Sequence, residues 1–410
     1  MSDVAVCDDW KEAVRLDDPY FYVEDNRALF QQIQREDPVF WYEPGKFWAL
    51  TKYQDIRSVL AERDLLSNAK GTLINSRGDD WAKTYLEKSG RMTLVFADAP
   101  FHSKLKSAML NLLSPMRLRA MEEHMVAVVN EVLDTAPRHE AFDFAEGYAA
   151  RLPAEVVASL LDVPRDIMPS FIRWANATRE STENLGFGNW DEVMAALGEM
   201  HDFFKTFVAE RRVRPADDFV SGLLAIEIDG EKLGDEWILG LCGTLVAAGF
   251  ESAKNFIMSA TDTLYRHPDQ RQLLIEDPEI WPNALEELFR FIAPSNGAAR
   301  YVTRDFELRG KTIRKGDWIV ALYGAGNIDE DIWPNALSLD LTRTPRPITT
   351  FGAGPHLCLG NMLAKIEARV AIQTLLARYP NYLVLGKPER RASTLSNSYK
   401  SMSVILDPLD

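Results

Sequence analysis

The stretch FGAGPHLCLG, residues 351 to 360, decides how this chain is interpreted, because it places Cys358 in a glycine-rich turn. The sequence that follows, LGNMLAKIEARVAIQTLLARY, repeats apolar side chains at helical spacing, so the turn opens a long helix. A helix N-terminus favours the thiolate form of a cysteine. Gly352 and Gly354 admit backbone angles closed to other residues, and Gly360 lets a flat ligand approach closely. The stretch therefore predicts a ligand-binding thiolate, against the alternative of a small buried cysteine.

The composition excludes several classes of site and partner. The three cysteines, Cys7, Cys242 and Cys358, contain no C-x-x-C pair, so they form neither a disulfide framework nor a zinc site. The 61 acidic residues outnumber the 46 basic ones and give a net charge of −15. Such a charge repels phosphate backbones and anionic lipid surfaces. We therefore expect no nucleic-acid partner and no membrane association.

The sequence is also expected to lack a secretory signal and a membrane anchor. Its first residues, MSDVAVCDDWKEAVRLDD, are acidic and do not place a basic flank before an apolar core. The longest apolar run, WILGLCGTLVAAGF from Trp237 to Phe250, ends at Glu251 before it is long enough to span a bilayer. This run predicts a buried helix, and the protein is expected to be cytoplasmic.

Apolar spacing predicts a mainly helical body. The pattern of three- and four-residue spacing occurs in HSKLKSAMLNLL, HMVAVVNEVLD, WDEVMAALGEMHDFFKTFVAERR and NALEELFRFI. Before these segments, VFWYEPGKFWAL alternates apolar and polar residues on both sides of Glu43-Pro44-Gly45. That alternation predicts a β-hairpin.

A small β-sheet region is predicted to follow the helical segments. Short β-like runs, FELRG, KTIRKGD and WIVAL, are separated by Gly310 and Gly316, where tight turns are expected. No repeat, low-complexity segment or linker interrupts the chain. We therefore expect residues 1–410 to form a single domain.

The cysteine loop resembles the haem-binding loop of the cytochrome P450 monooxygenases at every fixed position of that motif. The resemblance implies the cytochrome P450 fold, a helical body with a small β-sheet region, and haem b as the cofactor. It also implies that Cys358 is the axial thiolate ligand of the iron, which favours splitting of the O–O bond. The fixed positions are Phe351, Gly352, Gly354, His356, Cys358 and Gly360.

A second segment, residues 248–252 with the sequence AGFES, resembles the oxygen-activating helix of the same family. The resemblance implies that Glu251 and Ser252 are catalytic and relay protons to the oxygen. Small side chains at Ala247 and Ala248 would leave room for it. Without the resemblance, Glu251 at the end of an apolar run would indicate only that this part of the helix is exposed. The family more often has aspartate and threonine where this chain has glutamate and serine.

A third match concerns residues that the resemblance makes structural rather than catalytic. Glu287 and Arg290 stand at i, i+3 in EELFR, a spacing that is common for surface ion pairs. Their order between the oxygen helix and the cysteine loop is that of the family's Glu-x-x-Arg. Arg343 in LDLTR matches the arginine that completes the network. The three residues would brace the haem loop.

The haem carboxylates need cationic or hydrogen-bonding partners. His102 in DAPFHSKLK and Arg300 in AARYVTRD match the family residues that supply them. Ile348 occupies a position where many relatives carry a further histidine, so that contact is expected to be missing or made by Arg346.

The predicted function is that of a haem-thiolate monooxygenase. By resemblance it inserts one atom of O2 into a medium-sized apolar molecule, by hydroxylation or oxidative dealkylation. Electrons come from NAD(P)H through a separate ferredoxin and its reductase, and Lys104 and Lys106 lie on the expected docking face. We expect a monomer. A peroxide-driven oxygenase, a non-catalytic haem sensor and a helical binding protein without haem stay open as alternatives.

The substrate pocket is predicted only in outline. Apolar side chains would form its roof, and a few hydroxyl and amide groups would bind a polar part of the substrate. The roof candidates are Phe171, Trp174, Phe187 and Trp190. The pocket candidates are Thr244, Ala247, Ala248, Ser295 and Asn296.

Overall fold

The structure is a computed structural model that describes residues 10–75, 77, 93–183 and 189–409. The chain divides into two compact units whose segments alternate along the sequence. The first unit comprises Met1–Lys83, Ser259–Cys358 and Glu389–Lys400. The second comprises Thr84–Met258, Leu359–Pro388 and Ser401–Asp410. The single domain of the sequence analysis stays a prediction.

Helices dominate the described residues, as the apolar spacing predicts. In chain order they are α1 (Trp10–Ala13), α2 (Arg27–Glu36), α3 (Tyr53–Ala61), α4 (Phe101–Leu112), α5 (Pro115–Ala120), α6 (Glu122–Thr135), α7 (Arg151–Leu160), α8 (Met168–Glu183), α9 (Trp190–Val213), α10 (Phe219–Ala225), α11 (Asp235–Arg266), α12 (Pro268–Glu276), α13 (Trp281–Ile292), α14 (Tyr323–Gly326) and α15 (Asn361–Arg378). The four segments with predicted helical spacing correspond to α4, α6, α9 and α13.

Most of the strands are short, and several follow one another with no helix between them. In chain order they are β1 (Val39–Tyr42), β2 (Phe47–Leu50), β3 (Leu66–Ser67), β4 (Phe142–Asp143), β5 (Glu227–Ile228), β6 (Glu231–Lys232), β7 (Gly297–Val302), β8 (Phe306–Leu308), β9 (Lys311–Ile313), β10 (Trp318–Leu322), β11 (Leu383–Arg390) and β12 (Tyr399–Ile405). The predicted hairpin and the three predicted β-like runs are all confirmed.

The main sheet of the first unit has the order β1-β2-β10-β7-β3. Strands β1 and β2 form the predicted hairpin with Trp41 opposite Trp48, and Lys46 takes a left-handed φ of 52° in its turn. One face of the sheet packs on α2 and the other on α3. Apolar residues of the first unit therefore pack against both faces of the sheet.

The second unit contains the long helix pairs. Helix α8 packs on α9 through an aromatic cluster in which Trp174 lies 5.2 Å from Phe203 between ring centroids. Tyr148 donates a hydrogen bond of 2.6 Å to the carbonyl of Ala371 in α15. Helix α11 contains the predicted apolar run, and Val246 and Phe250 are fully buried. None of the helices in the described ranges has the length and hydropathy that crossing a membrane requires.

Candidate active site

The cysteine loop of the first unit is a closed turn. The backbone N–H of Cys358 donates to the carbonyl of Phe351 over 2.9 Å, and a short 3-10 helix, Gly354–His356, fills the turn. Gly352 and Gly354 have left-handed φ values of 74° and 66°, as their residue type suggests. The turn leaves the Cys358 thiol exposed.

Gly354 is required for a second reason, which the sequence does not reveal. A Cβ added there would lie 2.0 Å from the backbone carbonyl oxygen of Leu60 at the end of α3. The loop is therefore pressed against protein at this point. At Gly360, by contrast, an added Cβ would meet no atom of the described residues within 4 Å. Gly360 is the glycine of this stretch that leaves open space for a ligand.

A buried polar clamp, made of Asn327, Thr349 and Thr350, holds the start of the cysteine loop. The Asn327 amide oxygen accepts from the Thr349 backbone N–H over 2.8 Å, and its Nδ2 donates to Thr350 Oγ1 over 2.7 Å. Thr350 Oγ1 in turn donates to the carbonyl of Phe289 in α13 over 2.8 Å. Asn327 and Thr349 are completely buried. Asn327, Thr349 and Thr350 could not be selected from the sequence, because a lone Asn and a Thr pair form no recognisable motif.

The structure brings the predicted network of Glu287, Arg290 and Arg343 together. Arg290 donates to both carboxylate oxygens of Glu287, over 2.6 and 2.7 Å, and its third nitrogen donates to two backbone carbonyls, those of Asn327 and Ala336. Arg343 Nε lies 3.2 Å from Glu287 Oε1. Because Glu287 and Arg290 are almost completely buried, this fork satisfies charges that would otherwise be very unfavourable.

Two other predicted cofactor-binding residues, His356 and Arg300, lie in different elements of the first unit. His356 Nδ1 lies 3.1 Å from Asn68 Nδ2, which follows β3. Arg300 lies in β7, is 6% exposed, and donates one hydrogen bond to the carbonyl of Ala299. Ile348 is buried, whereas Arg346 is exposed.

In the second unit, His102 lies in the first turn of α4 and is buried. Lys104, two residues along, pairs with Asp229 over 2.6 Å, and both side chains are largely exposed. Asp229 lies in the turn between β5 and β6 with a left-handed φ of 56°. One of the two lysines on the predicted docking face therefore already has an acidic partner in its own chain.

Glu251 lies within α11, with its side chain 14% exposed. Its Oε2 is 3.5 Å from Arg179 Nε of α8, and its Oε1 accepts from Asn255 Nδ2 over 3.2 Å. Oε2 and the Asn255 amide oxygen are both buried and have no hydrogen-bond partner within the described part of the chain. Sequence reasoning missed Arg179, whose sequence neighbourhood gives no signal, and Asn255, whose i, i+4 spacing from Glu251 could have pointed to it.

Ser252 is exposed, and its Oγ donates to the carbonyl of Ala248 over 2.8 Å. Ala248 is exposed and Ala247 half-buried. Gly249 has a packing role, because an added Cβ would lie 2.7 Å from Val157 Cγ2 of α7. The two small residues therefore differ in their surroundings. Gly249 allows close packing against α7, whereas Ala248 is exposed.

The polar pocket candidates differ in how strongly their side chains hydrogen-bond to the protein itself. Thr244 Oγ1 donates to the carbonyl of Gly240 over 2.7 Å and lies 2.9 Å from Thr93 Oγ1. Asn296 Nδ2 donates to the carbonyl of Ser393 over 3.1 Å, and Ser295 Oγ lies 3.5 Å from the carbonyl of Leu395. Among these side chains, the Ser295 hydroxyl has the weakest contact with protein.

The predicted roof residues divide into two groups. Phe171 and Trp174 are buried in the aromatic cluster of α8 and α9, whereas Trp190 is 46% exposed at the start of α9. Phe187 lies outside the described residues, as does Cys7. Burial raises the pKa of the Cys242 thiol to about 12, so this cysteine is a packed, protonated side chain.

A family model described as Cytochrome P450 matches residues 187–395. The chain belongs to the cytochrome P450 family. This P450 is 30% identical to the vitamin D(3) 25-hydroxylase of Pseudonocardia autotrophica, in an alignment covering 92% of this chain and 93% of the relative. It is 31% identical to the mycinamicin IV hydroxylase/epoxidase of Micromonospora griseorubida, over 88% of this chain and 89% of the relative.

The fold is confirmed by the solved structure of Mycobacterium marinum cytochrome P450 CYP268A2 in complex with pseudoionone. This structure superimposes on the P450 with a TM-score of 0.84 at 26% identity, covering 94% of this chain and 96% of the other. The predicted fold class and the predicted enzyme class, a monooxygenase among the oxidoreductases, are both confirmed.

The residues of this P450 fit the cofactor that the family implies. Cys358 offers an exposed thiol at a turn braced by the clamp, and Gly360 leaves open space. Within the described ranges, no three His, Cys, Asp or Glu side chains group as a metal site would require. The P450 family implies haem iron held by a cysteine thiolate, and Cys358 is the cysteine of this loop.

Proposed function

We propose that this P450 inserts one oxygen atom from O2 into a medium-sized apolar substrate, by hydroxylation or oxidative dealkylation. The observation that carries the proposal is the cysteine loop, in which Phe351 and Cys358 close a turn that leaves the thiol exposed. The buried fork of Glu287 and Arg290 supports the same segment through the carbonyl of Asn327. So much fixed structure around one exposed thiol is expected for a ligand and not for a packing residue.

Haem b, when bound, supplies the iron at which O2 is activated. Cys358 would hold the iron through its thiolate. The loop residues Phe351, Gly352, His356 and Gly360 would surround the cofactor, and His102 and Arg300 would bind its carboxylates. Both side chains are buried, which strengthens a hydrogen bond to a carboxylate because water competes less.

Glu251 and Ser252 would move protons. The Glu251 side chain is 14% exposed, so its carboxyl can take a proton from solvent. At the same time, Asn255 contacts one of its oxygens and Arg179 lies near the other. Ser252 Oγ can release its bond to the Ala248 carbonyl and turn its hydroxyl to pass a proton on. Arg179 would place a positive charge beside the carboxylate, with its Nε 3.5 Å from Glu251 Oε2.

Electrons would reach the enzyme from NAD(P)H through a ferredoxin and its reductase. Lys104 is exposed on α4 and is suited to meet an acidic protein. Because Asp229 already pairs with Lys104, an acidic donor would have to compete with it. We therefore expect only moderate sensitivity of donor binding to salt.

The substrate would lie against small and weakly hydrogen-bonded side chains. Ala248 is exposed, and the Ser295 hydroxyl has only a 3.5 Å contact with the Leu395 carbonyl. Thr244 is less suited to bind a substrate, since its hydroxyl is used within the protein. The relatives carry the names of different substrates, vitamin D(3) and mycinamicin IV, so their names do not select one for this chain.

The test is the absorption spectrum of the reduced protein under carbon monoxide. Wild type should show a strongly red-shifted Soret band, and Cys358→Ser should lose that shift. The matched control is Cys242→Ser, since Cys242 is a completely buried cysteine in α11. The folded fraction of this variant should keep the red-shifted band. A Soret band that is indifferent to Cys358→Ser would contradict thiolate ligation.

A peroxide-driven oxygenase is the second candidate, and Ser252 in place of the commoner threonine keeps it open. The two candidates are separated by assaying turnover with NAD(P)H, ferredoxin and reductase, and then with hydrogen peroxide alone. Product from the electron chain supports the monooxygenase. Product from peroxide only would replace it with the peroxide-driven reaction.

A further inference from the structure

Tyr323, the first residue of α14, is a buried tyrosine whose hydroxyl the protein does not use. The residue is 7% exposed. Among the described residues, only its backbone forms hydrogen bonds: its N–H donates to the carbonyl of Asn296 over 3.0 Å, and its carbonyl accepts from Thr349 Oγ1 over 2.6 Å. The hydroxyl of a buried tyrosine usually has a hydrogen-bond partner. The hydroxyl of Tyr323 is therefore an unexpected free donor inside the first unit.

The Tyr323 hydroxyl points toward the cysteine loop. A Cβ added at Gly352 would lie 3.3 Å from the hydroxyl oxygen of Tyr323. That oxygen is not among the fully enclosed, unsatisfied polar atoms of the described residues, so it borders open space. Gly352 has no side chain that could accept a hydrogen bond from it. The hydroxyl is therefore available to a ligand that lies beside the loop.

The main sheet places Tyr323 on the same face as Arg300, the proposed partner of a haem carboxylate. In the pairing of β7 with β10, Arg300 lies directly opposite Ile319, so the two side chains share one face. Alternate residues keep to that face, and the ladder continues past the end of β10 to Tyr323. Ile319, Ala321 and Tyr323 pack in one apolar cluster, which also contains Ala353 of the cysteine loop. Two hydrogen-bond donors therefore lie on the sheet face that meets the loop.

We propose that the Tyr323 hydroxyl donates a hydrogen bond to a haem carboxylate and replaces the histidine contact that Ile348 cannot make. The inference rests on the proposed haem-thiolate function. Ile348 is buried and apolar, and Arg346, the other candidate for this contact, is exposed. Thr349, the residue after Ile348, donates directly to the Tyr323 carbonyl. Tyr323 therefore lies beside the position where the histidine would stand.

A packing role alone would not require the hydroxyl of Tyr323. The ring already packs in the apolar cluster, and phenylalanine would fill the same space without burying a polar group. A buried hydroxyl that lacks a partner destabilises a protein. A carboxylate is a strong acceptor, and a hydrogen bond to a charged group is worth more than one between neutral groups. Binding of the cofactor would therefore satisfy the hydroxyl.

The experiment uses the haem-loaded protein and compares Tyr323→Phe with Tyr22→Phe. Each substitution removes one hydroxyl from a buried tyrosine of the first unit. The Tyr22 hydroxyl donates to the carbonyl of Leu16 over 3.0 Å, so Tyr22→Phe is the control for loss of a hydrogen bond within the protein. The readouts are the rate at which haem transfers to an excess of apomyoglobin and the resonance Raman bending band of the haem carboxylates, which responds to hydrogen bonding. Neither readout depends on turnover.

We expect Tyr323→Phe to speed haem transfer about tenfold, as the loss of one hydrogen bond to a charged group implies, and to shift the carboxylate band. Tyr22→Phe should leave the band as in wild type. Ile348→His, added to Tyr323→Phe, should slow haem transfer again, because the histidine restores a donor beside the lost hydroxyl.

Three results would contradict these expectations, each in a different place. If Tyr323→Phe leaves both the transfer rate and the carboxylate band unchanged, the contact between Tyr323 and the haem carboxylate is overturned. If Tyr323→Phe changes both but the added Ile348→His gives no recovery, the replacement of the histidine contact is overturned. If the wild-type protein carries no haem, or shows no red-shifted band under carbon monoxide, the proposed function itself fails.

Discussion

The cysteine loop and the Glu251 turn of α11 differ in how completely their polar groups are satisfied. In the loop segment, Asn327 uses both ends of its amide, and Arg290 makes a two-pronged contact with Glu287. In the helix turn, two buried oxygens of Glu251 and Asn255 have no hydrogen-bond partner among the residues that the structure describes. The first region uses its buried hydrogen bonds to hold one geometry, and the second leaves acceptors open for water.

This difference separates residues that hold a site from residues that act in it. A group whose hydrogen bonds are all made within the protein resists rearrangement, because each lost bond leaves a buried partner unsatisfied. A group that exchanges protons needs a partner that can move, and water supplies one. Substitutions in the loop segment should therefore change stability first, and substitutions in the helix turn should change catalysis first.

The largest effect is expected from Glu287→Gln. This change leaves the buried Arg290 guanidinium without its charge partner, and the free energy of unfolding should fall by about 3–5 kcal/mol. Urea denaturation measures it. The control is Glu389→Gln, whose partner Lys400 is 2.9 Å away in an exposed pair, and it should leave stability unchanged within error. Equal effects of the two substitutions would contradict the idea that the loop is held by its buried network.

Gly354→Ala is expected to have the next largest effect, about 3 kcal/mol, because it combines a left-handed φ with a collision against the Leu60 carbonyl. Gly386→Ala is the matched control. Gly386 has nearly the same φ, 67°, but an added Cβ there meets nothing within 4 Å. Thermal unfolding and the carbon monoxide spectrum should show a damaged loop only in the first variant. A similar loss in both would assign the effect to backbone strain alone.

A smaller effect, of opposite sign, is expected from Glu367→Gln in α15. Glu367 is buried with an unsatisfied Oε1, and burial raises its pKa well above the ordinary value. A raised folded-state pKa means that stability falls as pH increases above the unfolded value of about 4.3. The neutral glutamine should remove that loss and raise the free energy of unfolding at neutral pH by about 1–2 kcal/mol.

The check for Glu367 is urea denaturation of both proteins between about pH 5 and about pH 8. The difference between variant and wild type should grow with pH. A difference that is constant over this range would mean that Glu367 does not carry its proton into the folded state.

The smallest effect on stability is expected from Ser252→Ala. Its hydroxyl bonds only to the Ala248 carbonyl one turn back, and alanine is the better helix former, so stability should stay within about 0.5 kcal/mol. Product per electron pair should nevertheless fall. Ser259→Ala on the same helix serves as the control for both measurements. A variant that loses stability but forms as much product per electron pair as wild type would contradict the assignment of this helix turn to catalysis.

Most of the fold and the family could be predicted from the sequence because the signals are local. The hairpin at Val39–Leu50, the helices and the short strands at Phe306–Leu322 each depend on spacing within a few residues. The cysteine motif is likewise contained in ten consecutive residues. Glu287 and Arg290 are one helical turn apart, so their pairing could also be predicted from the sequence. The prediction that Arg343 joins them depended on the family resemblance.

The clamp and the surroundings of Glu251 could not be predicted in this way. Asn327 meets Thr349 and Thr350 from a separate stretch of chain, and Arg179 reaches Glu251 from another helix. Such contacts depend on how elements pack, and no pattern within either segment encodes them.

By itself, the sequence determined the helical body, the small sheet region and the cysteine in a turn at the head of a helix, since these follow from residue type and spacing along one segment. The tertiary structure alone decided which glycine is pressed against protein and which is open, and which buried oxygens are satisfied. The physical reason is that steric contact and hydrogen bonding between distant segments depend on distances in space, and the order of residues along the chain does not specify them.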